Sequence, residues 1–547
     1  MPTLTPAEAR AQIPTIVRDH VTQGTGMLAL AHPPGTGKGY GTTAALQDYL
    51  QSHPNPGKIV WTGLRKAQVN DQQGLPLIPI HGRNPGNCRK FSEAQALTNR
   101  GYSVTHALCL HRCPFVDYCI YRTQLRQEAH IFAPQSLLQA TSWWQEADVI
   151  VLDEFDPAIL TRIVALNSID LARMGRGCAD QHAQIILRWL MILIGSAADR
   201  QLAGVTLLSE LEALAVAEGL DLGQSLRWAI SALPSQEEIH RLRSVAPGAT
   251  IAEYETLPPN YLETLLTRLD HERRRALTGG AFTSRLEIGG GRLWLYLRAE
   301  HLIAQLARPE QPKLILDATI STALLQAIFP NTLLRVEQPR ISGGASVTQV
   351  ITRDWAKSTL RGAHRERWFD EVASHVRSNR PTLVVCTLAC EADLRVALCA
   401  RGHDQVIVAH YGALRGSNAY KGYDIILAQI YHPNLDAIIR EGRALFADDA
   451  EPLDETLITT ERMLTDTAGA SWVVQVPTFA DPRLAALLEQ SRESELVQAA
   501  LRGRPFDYPE SQITLLFGLP LPSLPPTIVC EGAVAGSYSF PPQSRWQ

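Results

Sequence analysis

The sequence predicts an α/β protein built from two parallel sheets flanked by helices, with insertions within the first unit and between the two. Three observations carry this. Short apolar runs that end in loops and resume as helices recur near both ends of the chain; a glycine-rich loop joins the first such strand to its helix; and an acidic pair closes a later strand. The 547 residues suffice for about three to four structural units at roughly 100–200 residues each. A hydrophobic content of 45% excludes a chain too polar to bury a core.

Residues 26–31, Gly-Met-Leu-Ala-Leu-Ala, read as a short strand, and residues 44–50 resume as helix. A second strand at 58–62 follows the turn-forming Pro54-Asn55-Pro56-Gly57, and 148–152 makes a third. Residues 76–121, rich in Pro, Gly, His and Cys, fit neither the helical nor the strand period and read as an insertion. From 157 to 307 the pattern turns mainly helical, over 181–197, 205–218 and 260–277, with one strand at 292–298. Strand-like runs return at 313–317, 382–387, 405–410 and 424–429. The expected division is a first unit at 1–156 with 308–340, a Cys-rich insertion at 80–125 within it, a helical insertion at 157–307 and a second unit at 341–519. A Pro-rich tail, 520–547, is expected to be partly extended or disordered.

The 51 Lys and Arg against 55 Asp and Glu leave a net charge of -4, so any nucleic-acid contact has to come from local stripes rather than a global basic field. The first ten residues lack the basic-then-apolar layout of a secretory signal, and the most apolar stretch, 185–194, contains Arg188 and is shorter than the roughly 18 residues of a membrane span. The expectation is a cytoplasmic protein with no membrane partner, whose nine cysteines cannot be assumed to pair as disulfides, so that a cluster among them points to metal or chemistry.

Chemistry enters at Ala31-His32-Pro33-Pro34-Gly35-Thr36-Gly37-Lys38-Gly39. Between a strand and a helix, glycines at 35 and 37 let backbone N–H groups face phosphate oxygens, and Lys38 offers a point charge to the β and γ phosphates; Pro34, Gly35, Thr36, Gly37, Lys38 and Gly39 are therefore the candidate nucleotide-binding residues. Ala31 replaces the usual first glycine. Gly39 stands where Ser or Thr would place a hydroxyl on Mg2+, which leaves the ion to water and a carboxylate. The strand at 148–152 delivers that carboxylate: Asp153 suits the Mg2+ shell and Glu154 suits polarising the attacking water. Taken alone the acidic pair would read as a helix N-terminus; one domain length after a phosphate loop it reads as catalytic.

Cys88, Cys109, Cys113 and Cys119 crowd between these two motifs, separated by 20, 3 and 5 residues. Four thiolates suit an iron–sulfur cluster or Zn2+, with His81, His106 and His111 near enough to stand in for one of them, and spacing alone does not separate the two. Arg83, Arg89, Lys90, Arg112 and Arg122, interleaved with Phe91, Phe115 and Tyr118, suit strand binding by phosphate contact and stacking, or solvated charges around a metal knuckle. The run Arg273-Arg274-Arg275 reads equally as a salt-bridged surface.

In this order the motifs resemble those of superfamily 2 DNA helicases, whose Asp-Glu-x-His is here Asp153-Glu154-Phe155-Asp156. Arg10-Ala11-Gln12 resembles the family's adenine-contacting element, Thr62 its DNA-backbone element, and Asp317-Ala318-Thr319 the Ser/Thr-Ala-Thr motif that couples hydrolysis to domain movement. The segment from Arg415 to Asp424 resembles a loop near nucleotide and DNA. Gln498-Ala499-Ala500-Leu501-Arg502-Gly503-Arg504 resembles the arginine-finger motif, one residue shorter between its arginines. The four cysteines sit where XPD/DinG-type helicases hold a [4Fe-4S] cluster, and residues 157–307 lie where those helicases carry an arch domain. The resemblance implies two RecA-like domains, ATP and Mg2+ as cofactors, a [4Fe-4S] cluster (alternatively Zn2+), and 5′-to-3′ movement on single-stranded DNA at a fork or tailed duplex; the alternatives are a non-unwinding P-loop ATPase with a structural zinc knuckle and, given Gly39, Asp156 and Asp317, a nucleotide- or DNA-binding module with degraded catalysis. It further implies that Gln12 contacts adenine and that Gln498, Arg502 and Arg504 serve the γ-phosphate from across the cleft.

Overall fold

The computed structural model describes residues 3–531 except 53–56, 64–73, 111, 127–129, 142, 198–199, 234–249, 352–354, 356–359 and 415–418. Its first sheet has seven strands in the order Leu334–Glu337, Met27–Leu30, Lys313–Leu316, Val149–Asp153, Ile59–Gly63, Ile131–Pro134, Ile78–Pro79. Every neighbouring pair is parallel. Strands covered by helices on both faces read as unbroken apolar runs, and Met27 to Leu30 and Val149 to Leu152 are buried throughout.

The helix Pro6–Gln23 begins with a Thr5–Glu8 capping box and Pro6 in its first turn, and it ends at Gly24 in the left-handed region. It packs on Lys38–Ser52, the helix that follows the phosphate loop. The crossing is close because residue 41 is glycine: a Cβ there would lie 2.6 Å from Ile13 Cγ2. That approach brings Arg10 of Pro6–Gln23 to the glycine-rich loop.

The second sheet has six parallel strands in the order Ile407–His410, Thr382–Cys386, Asp424–Leu427, Gln512–Leu515, Ser346–Val350, Ile528–Cys530. The two-sheet α/β class expected from the sequence is therefore present. The last strand belongs to the stretch expected to be partly extended; residues 532–547 lie outside the described residues. A hairpin of Leu457–Thr465 with Ser471–Phe479, which no periodicity announced, packs on the helix Pro482–Ala500 through Arg462, whose guanidinium bridges Glu489 and Glu493.

Residues 157–307 contain the expected helices at Gln181–Ser196, Gly204–Ala217 and Leu262–Leu277. They also hold a four-stranded antiparallel sheet in the order Thr161–Leu166, Arg292–Arg298, Leu286–Gly289, Leu202–Ala203. Only Arg292–Arg298 shows in the sequence pattern, because two of the others are four and two residues long. Arg285, 2% exposed, fastens this sheet to the second unit: its guanidinium donates to the carbonyls of Tyr296 (3.0 Å) and Ala444 (2.6 Å) and to Asp448 (2.9 Å). Arg443 bridges Glu287 and Glu455 beside it. The Cys-rich insertion in turn meets the helical one through Arg100–Asp170 (2.8 Å) and the Tyr102 hydroxyl donating to the Pro258 carbonyl (2.8 Å).

The Arg273-Arg274-Arg275 run is committed to structure: Arg273 pairs with Glu212, Arg274 with Asp270, and Arg275 donates to the Ala447 carbonyl. Next to it, buried Glu272 accepts from the Ser284 hydroxyl and the Arg285 N–H, both at 2.6 Å, yet burial raises its carboxyl to about 7. A folded pKa above the unfolded value of 4.5 means stability that is full below 4.5 and lost as pH rises through about 7. Glu272→Gln is expected to flatten the decline in unfolding free energy, from urea titrations between about pH 5 and about pH 8, by roughly 2–3 kcal/mol. An unchanged slope would remove Glu272 as its source.

Candidate nucleotide site at the cleft between the two sheets

The carboxyl ends of parallel strands lie along one sheet edge, so the loops that follow them converge. Met27–Leu30 leads into the phosphate loop, Lys313–Leu316 lies beside it, and Val149–Asp153 comes next, with Leu316 opposite Asp153. Gly35 and Gly37 adopt φ values of 90° and 82°, which the loop's turn requires and a side chain would resist. Pro34 and Gly39 are half-buried on either side. Thr36 is buried, its hydroxyl donating to the Pro33 carbonyl at 2.7 Å. The ring nitrogens of buried His32 have no hydrogen-bond partner among the described residues, and burial lowers its pKa to about 4, so it is neutral.

Lys38 opens its helix and donates to the His32 carbonyl. Burial lowers its pKa to about 8 against the pull of Asp317, Asp153 and Glu154. Asp153 is pushed up to about 7 by burial and by the charge of Glu154, with Lys38 opposing. One cation and three carboxyl groups thus share a poorly solvated pocket. Mg2+ would take its oxygen donors here from Asp153 first, and Gly39 contributes none.

Glu154 holds a φ of 57°. A non-glycine residue in the left-handed region is held there by its surroundings. The holder is Gln135, which follows strand Ile131–Pro134 and is 2% exposed. Its amide donates to the carbonyls of Asp153 (3.0 Å) and Glu154 (3.2 Å), and its oxygen accepts from the Asp156 N–H (3.2 Å). Asp156, where the resemblance expects His, caps the turn Pro157–Leu160.

The second unit enters through Pro482–Ala500. Asp317 accepts from the Thr319 N–H (2.9 Å) and hydroxyl (2.8 Å), the Thr319 hydroxyl meets Ser494 Oγ at 2.5 Å, and Gln490 receives the Ser321 N–H at 2.7 Å. Gln498 is half-buried on the same helix, its Oε1 without a hydrogen-bond partner among the described residues. Arg502 is half-buried in the turn Leu501–Gly503. Arg504, at φ 56°, lies against the phosphate loop: a Cβ on Gly35 would be 3.5 Å from its Cδ. On the other side Arg10 donates to the Gly35 carbonyl at 2.9 Å, while Gln12 stands exposed on that helix.

Two placements bear on the nucleic-acid contacts expected from the sequence. Thr62 is fully buried and its hydroxyl donates to the Val151 carbonyl at 3.0 Å, so the sheet interior occupies the group assigned to DNA. In the Cys-rich insertion, Arg83 stacks on Tyr121 and Arg89 on Phe115, which commits two of the basic residues to local aromatics. Tyr118 is 88% exposed there. Residues 415–418 and His111 lie outside the described residues.

Cys88 and Cys109 are buried in a small core with Leu97, Tyr102 and Tyr254, Cys113 and Cys119 are half-buried, and all four are free thiols. Burial raises the pKa of Cys88 and Cys109. Arg83 approaches Cys109 Sγ at 3.7 Å. As placed, the described residues include no group of three metal-ligating side chains close enough to share one ion.

No family model matches the sequence, and no curated protein matches it. The chain is similar to solved structures of an XPD helicase (TM-score 0.47, 10% identity, 93% of this chain and 95% of that one) and of apo XPD (0.43, 10%, 93% and 95%). It is also similar to the DEAH/RHA helicase HrpB of Escherichia coli (0.30, 9%), of which it covers 42%. No helix among the described residues is long and apolar enough to cross a membrane.

Gln135→Leu would remove the side-chain partner of two part-buried carbonyls and one part-buried N–H at the end of the acidic strand. It is expected to cost about 2–3 kcal/mol of stability in urea titration. A loss below about 0.5 kcal/mol would show that Gln135 does not hold the Asp153-Glu154 turn.

Proposed function

We propose that the chain is an ATP-driven motor on single-stranded DNA, of the XPD/DinG-type helicase class that its motifs resemble, moving 5′ to 3′ and opening forks or tailed duplexes. The observation that carries the reading is the meeting of Lys38, Asp153 and Glu154 from one unit with Arg504 from the other over a single phosphate loop. Lys38 would hold the β and γ phosphates, Asp153 the Mg2+ shell and Glu154 the attacking water. Arg504, with Arg502 and Gln498 behind it, would meet charge developing on the γ-phosphate, so that nucleotide state sets cleft closure. Support for the coupling comes from the Asp317-Ala318-Thr319 segment, whose hydrogen bonds to Ser494 join phosphate-side strands to the helix that leads to Arg504.

Lys38→Ala and Glu154→Gln are each expected to lower DNA-stimulated ATP hydrolysis on the order of 100-fold or more. Undiminished turnover in either variant would refute the site assignment. Unwinding assays on tailed duplexes of both polarities test direction; opening of the 3′-tailed substrate alone would reverse it.

Within this reading Cys88, Cys109, Cys113 and Cys119 would carry a [4Fe-4S] cluster, supported by their number and spacing in one insertion; as placed, no three of them lie close enough to share one ion, so binding would draw them together. Protein purified without oxygen is expected to be brown and to contain about four iron atoms per chain. Colourless protein with stoichiometric zinc would instead make the insertion a structural Zn2+ knuckle.

A further inference from the structure

The loop that carries Arg504 is tied on both sides of the cleft. Toward the second unit, the Gly422 N–H donates to the Gly503 carbonyl at 2.9 Å and the Ala345 N–H to the Pro505 carbonyl at 3.0 Å. Within the loop, the N–H groups of Asp507 (2.9 Å) and Tyr508 (3.1 Å) both donate to the Arg504 carbonyl, which pins the residue in its left-handed conformation. Across the cleft, the Asp507 carboxylate pairs with Arg10, whose guanidinium also donates to the Gly35 carbonyl, and Arg10 Cγ would lie 3.4 Å from a Cβ on Gly37. One arginine of the first unit therefore touches the phosphate loop and the tip of the finger loop together.

We propose that Asp507 is a positioning residue: through its ion pair with Arg10 it holds the Arg504 loop against the phosphate loop, and so sets the rate of the hydrolytic step rather than nucleotide affinity. The inference rests on the reading of the cleft as an ATPase site. The partners are 43% and 38% exposed, so the pair adds little to overall stability and is weakened by salt. Its effect lies in geometry, because an arginine that meets the transferring phosphate acts only when it is in place.

The test uses the full chain with Asp507→Asn, Arg10→Gln, the double variant and Asp507→Glu. Each single neutral variant is expected to lower kcat for ATP about fivefold with KM within about twofold, the double variant to be no slower than the slower single, and Asp507→Glu to recover part of the loss. In an Arg504→Ala background, Asp507→Asn is expected to change nothing further. Additive losses in the double variant, or a rise in KM with kcat intact, would overturn the clamp. Hydrogen exchange in the nucleotide-free protein supplies a readout independent of turnover: Asp507→Asn is expected to speed exchange of the Asp507 and Tyr508 amides. Unchanged exchange defeats the clamp whatever the ATPase result. Faster exchange in a protein whose wild type hydrolyses no ATP defeats the proposed function and leaves the clamp standing.

Discussion

The site depends on one strand register. Lys313–Leu316 lies between Met27–Leu30 and Val149–Asp153, with Leu316 opposite Asp153, so the phosphate loop, the Asp153-Glu154 pair and Asp317 emerge side by side at one sheet edge. A parallel sheet aligns strand ends of like polarity, and covering helices remove water from both faces. Poor solvation then acts on the charges collected there. Lys38 falls to about 8 and Asp153 rises to about 7 because each loses more water than its neighbours replace.

The two units meet through polar contacts at the site and, beside it, through one apolar core in which Leu324, Leu325 and Ile328 of the first unit pack with Leu484, Leu487 and Leu488 of the second. The Pro482–Ala500 helix carries Gln490 and Ser494 against the Asp317-Ala318-Thr319 segment and leads into the turn that presents Arg504. Hydrogen bonds of this kind are directional and individually modest, so they fix position while the shared apolar core supplies most of the adhesion. The strained backbones at Glu154 and Arg504, one on each wall, mark where the fold holds side chains in place.

The helical insertion is bound to the second unit as well as to the first. Arg285, buried with its guanidinium on Asp448 and two carbonyls, and Arg443 between Glu287 and Glu455, make a junction whose charges are paired and desolvated together. The Cys-rich insertion touches the helical one through Arg100 and Tyr102.

Much of this was legible in the sequence where the chemistry is local. The strands at 26–31, 58–62, 148–152 and 313–317 show as apolar runs, and the phosphate loop, the Asp-Glu pair and the four cysteines show by residue type and spacing, because turn geometry, charge and thiol content belong to consecutive residues. The nine-residue hairpin strands and the strand Ile528–Cys530 were not, since edge and two-stranded pieces bury too little to impose a period, and Leu286–Gly289 and Leu202–Ala203 were not because four and two residues are too few to show one. Thr62 shows the limit from the other side, a motif position whose hydroxyl is taken by the neighbouring strand. The sequence by itself determined the two-sheet α/β class and the residue types of the candidate nucleotide site. Only the tertiary structure decided that Gln135 clamps the acidic turn, that Gln490 and Ser494 read Asp317-Ala318-Thr319, and that Arg10 meets Asp507 across almost the whole chain. Those partners come from distant segments, and their pairing follows from which strand ends and helix faces packing brings together.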